Sequence, residues 1–184
     1  MMDDDDRDLP VETVWEGRFI AAKTRGKWEY VSRTRNVSAA VILAIDEGQV
    51  LLVEQYRVPV GAMCIELPAG LVGDETEGEE VAAAAIRELE EETGYRDERM
   101  VDLGRFYASS GMSSEGFTLL RAEGLTRVGE GGGVAGEDIL VHRVSLEEVP
   151  AFVAAKRAEG AAVDAKMLLL LSPVMLGEAA AADQ

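Results

Sequence analysis

Apolar and polar residues alternate through the stretch from Val11 to Arg35, VETVWEGRFIAAKTRGKWEYVSRTR, around the turn-like Thr24-Arg25-Gly26-Lys27. A period of two predicts a β-hairpin or meander. Two strongly apolar runs follow, Val37 to Ile45 and Val50 to Tyr56, separated by the turn signal Asp46-Glu47-Gly48. They read as two buried strands at the centre of a sheet. Cys64 to Leu67 is a further short strand, with Pro68-Ala69-Gly70 as a turn after it, and Met100 to Tyr107, Gly116 to Ala122 and Ile139 to Val144 read as the remaining strands. The pattern becomes helical between about Glu79 and Thr93, where Ala82 to Ala85 give high propensity and Gly94 supplies a C′ stop. A second helix is expected from the capping-box pattern Ser145-Leu146-Glu147-Glu148 to about Ala158, with Pro150 in its first turns able to delay the start, and a third from about Val163 to Leu176. Glycine excess from Gly129 to Asp138 predicts a mobile loop.

Length allows one domain with a real core: an acidic disordered tail over 1–9, N-terminal strands over 10–36, the main domain over 37–177 and a flexible tail over 178–184. Apolar residues make up 47% and charged residues 29%, an ordinary globular balance, but the formal net charge is −17. Such a surface repels nucleic-acid backbones and anionic membranes, so neither is expected as a partner. An anionic substrate meets the same repulsion unless cations sit with it. Most of the positive charge near the N-terminus lies in the alternating stretch, at Arg18, Lys23, Arg25, Lys27, Arg33 and Arg35, which reads either as a structural hairpin with solvated lysines or as a substrate-facing or dimer-facing element. Cys64 is the only cysteine, so no intrachain disulfide forms, and a reducing cytoplasm is the expected setting. No apolar run is long enough to span a bilayer.

Within the alanine-rich helix, Glu88, Glu91 and Glu92 stand at i, i+3 and i+4 and share one face. Like charges at that spacing repel, and acids at a helix C-terminus oppose its dipole. A bound hard cation, Mg²⁺ or Mn²⁺, removes both objections and bridges carboxylates to a substrate phosphate. Arg87 lies beside the cluster and is expected to orient it.

The stretch fits Gly73, five residues, Glu79, seven residues, Arg87-Glu88-Leu89, one residue, Glu91-Glu92, one residue, Gly94-Tyr95. This resembles the Nudix box of the Nudix hydrolase family, with Tyr95 where the family usually has an aliphatic residue. The preceding GluLeuProAlaGly, residues 66–70, is similar to the entry to the box in ADP-ribose and sugar-nucleotide pyrophosphatases, with three extra residues before the helix. The resemblance implies an α/β/α sandwich with a mixed sheet, extended here by the N-terminal β-hairpin or small β-subdomain. It also implies metal-dependent hydrolysis of a nucleoside diphosphate linked to another moiety, such as ADP-ribose. A non-catalytic module that senses nucleotide sugars is the alternative.

The same resemblance adds the Ala69 carbonyl to the metal ligands Glu88, Glu91 and Glu92, and it implies a homodimer formed through the N-terminal strands. Arg57, in a GlnTyrArg ending, is expected to hold a diphosphate oxygen with its two-pronged fork. The polar loop from Ala108 to Glu115 is expected to border the substrate pocket, with Glu115 a substrate contact. Trp28 or Tyr30 offers a face for a nucleobase, the alternative being a place in the core. The resemblance further implies a water-activating glutamate on the glycine-rich loop, for which Glu137 is the candidate with Glu130 second, the alternative being that the family's glutamate maps onto Ala135. His142, alternating with apolar neighbours, reads as structural.

Overall fold

A computed structural model describes residues 4–35, 37–73, 78–134 and 136–175. The expectations for Met1 to Asp3, for Ala135 and for the tail over 178–184 lie outside these described residues, as do residues 74–77 of the lengthened loop before the helix. The chain opens with β1 (Glu12–Glu16), β2 (Ile20–Arg25) and β3 (Trp28–Arg33), an antiparallel sheet in the order β1-β2-β3. Of the two forms expected there, the meander is realised. In the acidic segment before it, Asp4–Arg7 forms a single 3-10 turn, Lys27 pairs with Asp6 at 3.3 Å, and Arg25 donates to the carbonyls of Arg7 and Leu9. The basic β2–β3 turn supplies the charge partner that an isolated acidic tail lacks.

The rest of the chain runs β4 (Ser38–Asp46), β5 (Gln49–Arg57), β6 (Ala62–Glu66), β7 (Ala69–Val72) and α1 (Val81–Thr93), then β8 (Tyr95–Arg96), β9 (Arg99–Tyr107), β10 (Gly116–Glu123) and β11 (Thr126–Arg127). It closes with β12 (Leu140–Ser145), α2 (Val149–Ala158), β13 (Ala162–Val163) and α3 (Leu168–Met175). The sheet is mixed. β4 pairs in parallel with β10 and antiparallel with β7, while β5 pairs antiparallel with β6 and β12. Among the described residues no helix is long and apolar enough to cross a membrane.

β4 and β5 pair only beside their turn, at Ile45–Val50 and Asp46–Gln49. Further on they separate, and β7 takes the place beside β4, from Ser38–Val72 to Val41–Ala69. The expected turn at Pro68-Ala69-Gly70 is thereby corrected: Ala69 and Gly70 begin a strand. The physical reason is that the divergence of β5 leaves one edge of β4 with unpaired backbone groups, and β7 satisfies them.

Because β4 and β5 lie between two layers, their alternate residues serve opposite cores. Ala40, Ile42 and Ala44 pack with Ala84, Ala85 and Leu89 of α1. Val41, Val50 and Leu52 face the other way, toward Val149 and Val153 of α2 and toward Met167 and Leu171. Helices therefore cover both faces of the sheet, the α/β/α sandwich. Each buried Leu, Ile or Val contributes about 1.5–3 kcal/mol on transfer from water.

Two helix expectations are corrected. Ser145 ends β12, and α2 starts after Glu148, whose side chain makes no capping bond; Pro150 sets the first turn instead. The last helix starts at Leu168 rather than Val163, because Val163 pairs with Ile65 on the open edge of β6. Asp164 caps the 3-10 turn Ala165–Met167, accepting from the Lys166 N–H at 2.8 Å.

Candidate active site

The alanine face of α1 rests on β4 and β10, which leaves Glu88 and Glu91 on the flank and turns Glu92 inward until it is 5% exposed. Arg87 gathers its neighbours: Nη1 donates to Glu88 Oε1 at 3.0 Å and Glu91 Oε2 at 3.3 Å, and Nε to Glu79 Oε1 at 3.4 Å. The expected orienting role of Arg87 therefore has a geometry. It holds three acids of the helix and its entry at once.

β7 forms the floor beneath these acids. The Ala69 N–H donates to Glu92 Oε2 at 3.0 Å. Glu88 lies directly over Gly70, so that a Cβ on Gly70 would overlap the Glu88 side chain. Glycine leaves room there for the close approach of a side chain, and no special backbone conformation selects it.

Ala69 and Gly70 also line a cavity of about 540 Å³. Three acid–base pairs stand around it. Arg57 donates to Glu66 through Nε at 2.6 Å and Nη2 at 2.7 Å, Arg33 donates to Glu115 at 2.5 Å, and Lys166 Nζ lies 2.7 Å from Asp164 Oδ1. Phe117 adds an apolar wall, with Lys166 Nζ 5.9 Å from its ring centroid. Arg57 and Glu115, the two expected substrate contacts, thus share one cavity. Arg33 of the basic hairpin and Glu66 of the box entry join them, as do Asp164 and Lys166, which were not expected because no local sequence pattern distinguishes them from a surface ion pair.

Glu92 is the electrostatic outlier. Burial pushes its carboxyl up to about 8, helped by the charges of Glu88 and Glu137 and opposed by the Ala69 N–H and by Arg57. Among the described residues no three acids converge on one point: Glu92 turns to β7 while Glu88 and Glu91 turn to Arg87. The donor set still suits a hard divalent cation. All of its side-chain donors are carboxylate oxygens, their mutual repulsion is what a cation would remove, and beside them Glu79 Oε2 is buried with no hydrogen-bond partner among the described residues.

The remaining candidates fall in different places. Trp28 lines a separate pocket with Arg25, Tyr30 and Ser110, away from the cavity over β7. Glu137 is exposed, its Oε2 accepting from the Val134 N–H at 3.2 Å, and it acts on Glu92 through its charge. The glycine-rich loop that carries it makes backbone bonds to the end of α1: Gly132 N–H donates to Glu92 O at 2.8 Å and Gly133 N–H to Glu91 O at 3.0 Å. The last carbonyls of α1 lack partners within the helix, and the loop provides them. His142 has its Nε2 2.8 Å from Glu54 Oε2 and its ring against Phe152, a packed position away from the cavity. Cys64 is 5% exposed at the cavity edge, and burial beside Glu66 pushes its thiol up to about 11.

A mixed sheet between helices thus brings an acidic helix end and a glycine floor together at one cavity. The NUDIX domain family model matches residues 34–169, so the chain belongs to the Nudix family. It is 28% identical over 183 residues to a methanol dehydrogenase activator of Bacillus methanolicus, covering 95% of each chain. The same identity and coverage relate it to an ADP-ribose pyrophosphatase of Bacillus subtilis. The crystal structure of an ADP compounds hydrolase superposes with a TM-score of 0.67 at 22% identity, covering 92% of this chain and 94% of the other, which is a likeness of fold.

Proposed function

We propose that this Nudix hydrolase cleaves the diphosphate of ADP-ribose or a related nucleotide sugar, releasing a nucleoside monophosphate and a sugar phosphate. The observation that carries the reading is the shared floor: Ala69 and Gly70 touch Glu92 and Glu88 on one side and line the cavity of Arg57 and Glu115 on the other. A diphosphate bound over this floor would have the acids of α1 at its phosphorus and the acid–base pairs around its sugar.

Glu88, Glu91 and Glu92, with the Ala69 carbonyl, are the residues that would hold Mg²⁺ or Mn²⁺. Such a cation supplies neutralisation of the diphosphate and a water of lowered pKa. The rest falls to the chain. Arg87 holds Glu88 and Glu91 in place, Arg57 offers its fork to a diphosphate oxygen, and Glu137 takes the proton of the attacking water. Glu115 and Arg33 present an acceptor and a donor to sugar hydroxyls.

The substrate enters a chain of formal charge −17, so a divalent cation has to accompany it. Incubation of the protein and Mg²⁺ with ADP-ribose, ADP-glucose, GDP-mannose, NADH and diadenosine polyphosphates, followed by chromatography, tests the reading. AMP from ADP-ribose, abolished by chelator, is expected, and Glu92→Gln should lower turnover by about a thousandfold or more while leaving the circular dichroism unchanged. Binding of nucleotide sugars without cleavage would make the chain a sensor instead.

We also propose that the protein works as a homodimer joined through its N-terminal sheet. Val14, Trp15 and Phe19 are 62%, 58% and 54% exposed there, an apolar surface of the kind that marks an interface.

A further inference from the structure

Residues 128–134 cross the C-terminal end of α1 as a strap. Val128 and Gly129 donate their N–H groups to Gly94 O at 2.8 and 3.0 Å, Gly132 to Glu92 O at 2.8 Å and Gly133 to Glu91 O at 3.0 Å. Ile139 N–H returns to Gly132 O at 3.3 Å and ties the following strand to the strap. No basic side chain stands in the last turn of α1. The strap amides therefore take the place of the cations that usually answer the negative end of a helix, and two of them do so on the carbonyls of Glu91 and Glu92 themselves.

The fit depends on three glycines. Gly94, at φ 73°, has no room for a side chain: a Cβ would lie 2.5 Å from Gly129 O and 2.7 Å from Gly131 N. Gly131, at φ 70°, faces it, and a Cβ there would lie 2.6 Å from Glu92 O and closer still to the Thr93 carbonyl carbon. Both clashes are with backbone, which cannot swing aside as a side chain can. At Gly133, φ 82°, a Cβ would lie 2.6 Å from Glu137 Oε2 and 2.8 Å from Glu137 Cβ. The space that Gly133 leaves is the space the Glu137 side chain occupies.

We propose that Gly94 and Gly131 form a backbone clamp whose function is to fix Glu137 against the acidic end of α1, making Gly131 a positioning residue for the reaction. The proposal rests on the reading of Glu137 as the group that accepts the water's proton. Gly94 then has two tasks. It ends α1 in the left-handed conformation, and it docks the strap against which the Glu137 side chain lies.

The test is a double-variant cycle, with kcat and KM measured on ADP-ribose with Mg²⁺ for Gly131→Ala, Glu137→Gln and the two combined. Gly131→Ala is expected to lower kcat about tenfold to a hundredfold, the scale of a misplaced catalytic group, and to change KM far less. Added to Glu137→Gln it should cost nothing further, because the group it positions has gone. Losses that multiply in the double variant would overturn the clamp while leaving Glu137 its role. An unchanged kcat in Glu137→Gln would overturn the reading of Glu137, and the clamp's part in catalysis with it. Amide hydrogen exchange on the unaltered protein gives a measurement that does not depend on the variants folding. The Gly132 and Gly133 amides should exchange at least about a hundredfold more slowly than free amides, and exchange at the free rate would overturn the clamp.

Discussion

Glu54 lies where β5 runs beside β12 and α2, with His142 Nε2 and Lys156 Nζ each 2.8 Å from its Oε2. Burial alone would raise its carboxyl, but the hydrogen bonds from Lys156 and His142 outweigh that and lower it below the ordinary 4.5. A carboxyl lowered in the folded state binds fewer protons there than in the unfolded chain, so its contribution is complete above the unfolded value and is lost as pH falls through the folded one. Glu54→Gln should therefore destabilise the protein by about 1–3 kcal/mol at pH 7, and the difference from the unaltered protein should shrink between about pH 5 and pH 3. Urea midpoints across that range measure it. The apolar neighbours of His142 make its structural place legible in sequence, but its partners are not, since Glu54 is far from it along the chain.

At the scale of elements, α1 and β7 form one device. Alanine content and the terminal glycine make the helix legible, and the spacing of Glu88, Glu91 and Glu92 marks its working face. The strand beneath it is hidden, because PAGLV reads locally as a turn and becomes β7 only when β5 leaves the edge of β4. Gly70→Ala tests the device directly. The added methyl meets the flexible end of Glu88 rather than backbone, so the fold should persist with melting changed by no more than a few degrees, while kcat falls about tenfold to a hundredfold. Thermal melting and steady-state kinetics on the same preparation separate the two effects. The strap shows the same limit of local pattern: its glycines signal mobility in sequence, yet they are what lets the backbone pack against the helix end.

At the scale of the whole molecule, the N-terminal sheet is the part whose exposed apolar residues raise the question of a second copy. The N-terminal sheet carries exposed Val14, Trp15 and Phe19, and it meets the rest of the chain where the Val31 N–H bonds to Met112 O at 2.9 Å and the Ser114 N–H to Val31 O at 3.0 Å. If that sheet joins two copies, light scattering after size exclusion should give twice the chain mass, and Trp15→Glu should give the monomer. An unaltered protein that runs as a monomer at micromolar concentration would remove the dimer. The separate pocket of Trp28 lies on this part of the molecule.

The sequence by itself determined the class of strand and helix, the burial of β4 and β5, and the acidic helix with its matched spacing. These are local properties, set by the period of apolar residues and by backbone propensities over a few turns. Only the tertiary structure decided what surrounds the site. Arg33 and Glu115 are 82 residues apart and meet at one cavity wall, and Asp164 and Lys166 reach the same cavity because β13 docks on β6. The close approach of Gly94 and Gly131 likewise exists only when two distant backbones come within contact. Such contacts depend on shape rather than on pattern, and shape is fixed by the packing of the whole sheet.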